Sequence, residues 1–110
     1  MTQVVLMTHA GVPCALPADQ VVGGFGADVP AIALFGAPEP DPKRALVVKT
    51  PGGARRVDCS VARFSNLDER SLSPVPELLA QRLELPHVVG LAGTGTQLRW
   101  LVDLVRWEER

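Results

Sequence analysis

Apolar residues run along this chain in short bursts separated by glycine and proline, a pattern that predicts several short strands and many turns. Residues 3–8 (QVVLMT) form the first burst, a His-Ala-Gly turn follows, and residues 12–16 (VPCAL) resume the pattern, which predicts a hairpin. Gln20, Val21 and Val22 make a brief apolar step, after which Gly23, Gly24 and Gly26 predict a break in regular structure. Residues 31–35 (AIALF) are a further apolar segment. It runs into GAPEPDPK, whose closely spaced prolines exclude helix and ladder bonding, so residues 36–43 read as a surface loop or linker.

Residues 45–49 (ALVVK) and 54–61 (ARRVDCSV) flank Thr50-Pro51-Gly52-Gly53, the residue order of a type II turn, and predict a second hairpin. In its second arm Arg55, Val57, Cys59 and Val61 share one face, and the polar Arg56, Asp58 and Ser60 share the other. Pro76 opens a helix candidate that Leu78, Leu79, Arg82 and Leu83 continue at helical spacing until Pro86, about two turns in all. Residues 88–92 and 98–101 read as strands around Gly93-Thr94-Gly95. The tail suits a short terminal helix through Leu101, Leu104 and Val105, although Trp100 and Val102 suit a strand equally.

The chain has 110 residues, 46% of them hydrophobic, which suits one domain with a modest core. Eleven Lys and Arg against twelve Asp and Glu leave a net charge of −1, a balance that speaks against nucleic acid as a partner. The N-terminal stretch has neither a basic start nor an apolar run of spanning length, so a cytoplasmic protein without direct membrane insertion is expected. In that compartment Cys14 and Cys59 would be reduced and packed. His9 and His87 are the chain's two histidines and neither lies in a nucleophile motif; with Cys14 and Cys59 they are scattered singly, without metal-ligand spacing. The segment from Gly90 to Thr96 lacks the Lys-Ser/Thr ending of a phosphate cradle and reads as a hairpin turn. Asp68-Glu69-Arg70 and Glu108-Glu109-Arg110 read as solvated clusters, and Trp100 as a core residue, while Trp107 suits core or exposed edge. These observations favour a binding or scaffolding module over an enzyme, with no cofactor and no metal.

Two longer segments add to this. Residues 57–77 (VDCSVARFSNLDERSLSPVPE) resemble the second half of the CheW family of chemotaxis adaptors: a Val-Asp strand, a short apolar run, an acidic turn and a Pro-x-Pro. Val88-Val89-Gly90-Leu91 through Leu101-Val102-Asp103-Leu104 is similar to the family's closing hairpin, and VVLMTHAGVPCALPADQVV to its opening hairpin. Two departures stand out. The Asn-Leu-Arg-Gly stretch of the family has no counterpart, VGGFGADVPAIALFG bridging the gap, and Val21-Val22-Gly23-Gly24 stands where the family often has Val-x-Glu-Val/Ile.

The resemblance implies a mainly β, CheW-like fold of SH3-like β-barrel subdomains, truncated in the first half by one or two strands, with one or two short helices. It implies a single domain over residues 1–110, with a shortened first-half region 1–36, a loop 36–43 and a second-half region 44–110. It implies a non-catalytic adaptor of a bacterial chemosensory system that binds the cytoplasmic tip of methyl-accepting receptors in an apolar groove between its barrels and modulates coupling to a CheA-type histidine kinase or to another CheW-like protein. Such a protein would sit in the cytoplasm, in receptor clusters. The matching groove positions are Val21, Val22, Val57, Val61, Phe64, Val88 and Leu91; β-branched residues at alternating positions suit a core equally well. The missing stretch points to one partner surface kept and another lost, and to unpaired edges that would support a homodimer by edge pairing or by strand exchange about the loop 36–43. A small ligand-binding or regulatory β-barrel outside chemosensory arrays is the alternative.

Overall fold

In a computed structural model, which describes residues 2–79, 84–94 and 97–108, the bursts form strands. β1 (Thr2–His9) and β2 (Val12–Pro17) make the expected hairpin. Ala10 and Gly11 turn it with φ of 52° and 79°, the pair of left-handed residues that matches strand twist in a two-residue loop. β3 (Val21–Gly24), β4 (Arg44–Thr50), β5 (Gly53–Cys59), β6 (Val61–Leu67), β7 (Leu72–Ser73), β8 (Val88–Thr94) and β9 (Gln97–Val102) complete the strands among the described residues. They form a six-stranded sheet in the order β6-β1-β2-β9-β8-β7 and a three-stranded sheet in the order β3-β4-β5. Neighbours are antiparallel except β2 and β9, which pair in parallel through Cys14↔Trp100 and Ala15↔Leu101 and so draw the two chain ends together.

One apolar cluster lies between the sheets: Met7, Cys14 and Leu16 from the larger, Val48, Val57 and Cys59 from the smaller, with Leu34, Val102 and Leu104 closing it. A second cluster, including Val4, Leu6, Ala15 and Ala92, is built from strands of the larger sheet. Both tryptophans are half-buried against the first cluster, and the Trp107 ring meets His87 edge-on at 4.7 Å. Two side chains tie distant segments together. Arg99 donates to the carbonyls of Met7 and Cys14, and Gln20 accepts from Leu104 N–H at 2.9 Å while donating to Asp103 at 2.7 Å.

The structure departs from the sequence reading in particular places. Gly23 and Gly24 do not break regular structure: they pair with Val47 and Leu46 in β3, after a bulge that absorbs the irregularity. The apolar segment 31–35, for which the sequence assigns no element, makes a single bridge from Ala31 to Arg56 and then turns. Val61 leaves the face of Val57 because the chain crosses from one sheet to the other at Ser60, whose N–H bonds Thr8 C=O. The turn before β5 carries its positive φ at Gly53 (115°) rather than at Gly52, so it is not type II. After β9 the chain makes one 3-10 turn, Leu104–Arg106, capped by Asp103, and no terminal α-helix forms through residue 108. The predicted helix begins with a turn at 77–79 after Pro76; Arg82 and Leu83 lie outside the described residues. Residues 36–43 are the irregular, mostly exposed loop expected of their prolines.

Gly90 is needed for a close approach. A Cβ there would stand 2.7 Å from Ser73 C=O, a backbone atom held in the β7–β8 pairing. Gly90→Ala is expected to lower stability by about 1–3 kcal/mol through this overpacking, measurable as a fall in the urea midpoint; an unchanged midpoint would mean that β7 is free to move aside.

Candidate functional site

A groove of about 780 Å³ opens between the two sheets. Its floor is apolar, from Val5 and Ala62 on one side and Ala45 and Leu46 on the other, and its lips are Phe25 and Phe64. Phe64 is 65% and Phe25 91% exposed, so among the described residues two large aromatic side chains stand in solvent. Solitary exposed apolar residues are ordinary, but two aromatics on one apolar cleft make it the candidate contact surface. Phe25 is also held at φ 69°, in the left-handed region that a bulky residue enters only at a cost of about 1–3 kcal/mol.

The rim is cationic. Among the described residues Lys43, Arg44, Arg56 and Arg63 line the groove with one carboxylate, Asp58, in a chain whose net charge is −1. Arg56 pairs with Asp58 at 2.9 Å and also reaches the carbonyls of Gly26 and Ala27, which pins the glycine-rich wall beneath Phe25. The Asp58 carbonyl in turn accepts from His9 Nδ1, and His9 Nε2 accepts from Leu34 N–H at 3.2 Å. Nε2 accepts, so Nδ1 must carry the proton, and the buried ring is held as one neutral tautomer. On the far side of the same residue, His87 Nε2 donates to Leu34 C=O. Two buried histidines therefore grip the backbone of Leu34 from both sides, fixing an irregular segment that has no ladder of its own.

The structure scatters the seven positions singled out in the sequence. Phe64 alone among them lines the groove. Val57 is 0% exposed, locked opposite Leu46 in the inter-sheet core, and cannot touch a partner without the sheet opening. Val21 is half-buried against that core, while Val22 stands 52% exposed on the smaller sheet and Val61 56% exposed at the start of β6. Val88 and Leu91 are half-buried on β8, in the larger sheet and away from the groove. Phe25 and Leu46 were missed because the glycines around Phe25 read as a break, and because a one-residue bulge decides which side of β3 meets β4.

Cys14 and Cys59 are free thiols in the inter-sheet core. Burial pushes Cys14 up to about 12, against a smaller opposing pull from Arg99, and burial with the nearby Glu39 pushes Cys59 up to about 11. At pH 8 both should react with a thiol reagent on the order of 10²–10³ more slowly than a free cysteine, and at full rate in urea. The neutral thiols are the native form. Their contribution to stability is whole below the ordinary thiol range near pH 8.5 and is lost as pH rises through 11 and 12. Fast labelling of the folded chain at pH 8 would contradict the packing. Among the described residues no three His, Cys, Asp or Glu side chains gather as a metal would require, and no helix is long and apolar enough to cross a membrane.

No protein-family pattern and no curated protein matches the chain. Among solved structures, the scaffolding protein TtCheW from Thermoanaerobacter tengcongensis superposes with a TM-score of 0.72 at 17% sequence identity, over 94% of this chain and 89% of that one. The chain therefore has a CheW-like fold, mainly β, as the resemblance of its segments implies.

Proposed function

We propose that this chain, built on a CheW-like fold, is a non-catalytic adaptor of a bacterial chemosensory system, and that its inter-sheet groove receives the helical tip of a methyl-accepting receptor. The observation that carries the reading is the apolar cleft with exposed Phe25 and Phe64 at its lips. An amphipathic helix laid in such a cleft buries its apolar stripe and leaves its polar face in water, the helix-in-groove mode of recognition. The cationic rim then favours acidic residues beside that stripe, and supplies orientation and association rate more than affinity. A small-molecule site of similar volume would enclose its ligand; here the aromatic residues stand outside, where a macromolecule reaches them.

The adaptor is accessory in character. Its smaller sheet has three strands among the described residues, and the family's Asn-Leu-Arg-Gly stretch has no counterpart in the sequence. This supports a receptor surface that is kept and a kinase-facing surface that is reduced, for a protein that modulates or substitutes within an array instead of bridging receptor to CheA-type kinase. Isotope-labelled protein titrated with a receptor-tip fragment should show chemical-shift changes concentrated at Phe25, Ala45, Leu46 and Phe64. Changes confined to β8, around Val88 and Leu91, would move the docking surface off the groove and refute its assignment.

A further inference from the structure

Each exposed sheet edge offers unpaired backbone groups to another strand, and folded proteins blunt such edges with charge, proline, brevity or a covering segment. Three of the edges here carry such a device. β7 is two residues long and runs into Pro74 and Pro76, and β6 carries the exposed Arg63 as its third residue. The outer side of β5 is covered: Ile32 N–H bonds Arg56 C=O at 2.9 Å and Arg56 N–H bonds Pro30 C=O at 2.8 Å. β3 is different. Among the described residues it pairs with β4 alone, Val22, Gly23 and Gly24 are exposed, and residues 21–27 (VVGGFGA) contain neither charge nor proline.

We infer that the β3 edge is a self-association surface, on which β3 of a second copy pairs antiparallel about a two-fold axis. A backbone edge selects an extended strand, and antiparallel pairing of one strand with its own copy is self-complementary in its hydrogen bonds. The segment is uncharged and the net charge is only −1, so little repulsion stands between copies. The pairing would turn two three-stranded sheets into one continuous six-stranded sheet, at the upper end of the common range. Edge pairing is favoured over strand exchange because the loop 36–43 is tied down. Glu39 accepts from Ala10 N–H and Asp41 N–H, and Lys43 N–H bonds Cys59 C=O. Four residues of strand, with Val22 and the neighbouring Phe25, cover much less than the roughly 800 Å² per partner of a stable interface. The dimer is accordingly weak and reversible.

Sedimentation equilibrium of the full chain without any partner, from about 10 µM to about 1 mM, should show a monomer–dimer equilibrium. Val22→Lys, at an exposed position, sets like charges against each other near the axis and should weaken the dimer at least about tenfold. Gly23→Lys is a second probe, since a Cβ there meets nothing within 4 Å. Phe64→Ser, in the groove, should leave the dimer unchanged. A monomer at every concentration, or a dimer that neither lysine weakens, overturns the inference; because no receptor fragment is present, failure of the groove reading would not alter either result.

Discussion

Replacing His9 with leucine is expected to cost about 3–5 kcal/mol of folding stability. The leucine would strand Leu34 N–H and Asp58 C=O, which His9 satisfies from its two ring nitrogens inside the protein. Each buried backbone group left without a partner costs about 1–3 kcal/mol, and the poor fit of a branched side chain to the ring's place adds to it. The damage would not stay local. Leu34 is 0% exposed and closes the inter-sheet cluster, and Asp58 holds Arg56, which pins the wall under Phe25. A urea unfolding series should show a lower midpoint with little change in slope, and the groove should bind its partner more weakly even where the variant is folded. His9→Gln, which can donate and accept through one amide, should recover part of the loss. A change below about 1 kcal/mol would show that the backbone of Leu34 is held by something other than His9.

The second large effect concerns the groove itself. Phe64→Ser and Phe25→Gly should each weaken binding of a receptor-tip fragment by at least about tenfold, as removal of a buried aromatic anchor does at interface centres. The two should differ in stability. Phe64→Ser is close to neutral, because the ring is 65% exposed in the free protein. Phe25→Gly should raise stability by up to about 1 kcal/mol, since glycine adopts φ 69° without strain. A variant that is more stable yet binds less well would mark Phe25 as retained for contact rather than for folding. Binding within twofold of the parent protein in both variants would contradict the placement of the site.

The strands were legible wherever apolar runs met turn residues, as in QVVLMT and VPCAL about Ala10-Gly11, because alternation and turn chemistry act over a few neighbours. Resemblance in the order of several weak motifs then pointed to a CheW-like fold, which the superposition bears out. What the local pattern did not carry is long-range. That β2 lies beside β9, that Ser60 switches the chain between sheets, and that Val57 is sealed in the core are consequences of which strands meet, and no window of the sequence encodes them. The grip of His9 and His87 on Leu34 joins residues 25 and 53 positions apart. As lone histidines among apolar residues they gave no motif. Phe25 was hidden for the opposite reason: its glycine neighbours spoke for disorder of the pattern, while the structure uses them to extend β3 and to hold the ring outward.

The most direct test is a pair of calorimetric titrations of the purified chain, one with a receptor signalling-tip fragment and one with the regulatory domain of a CheA-type kinase. Saturable binding of the receptor tip, weakened by Phe64→Ser, is expected, with no binding, or far weaker binding, of the kinase domain. Equal and independent affinity for the two would contradict the accessory-adaptor reading, and binding to neither would contradict the adaptor function altogether.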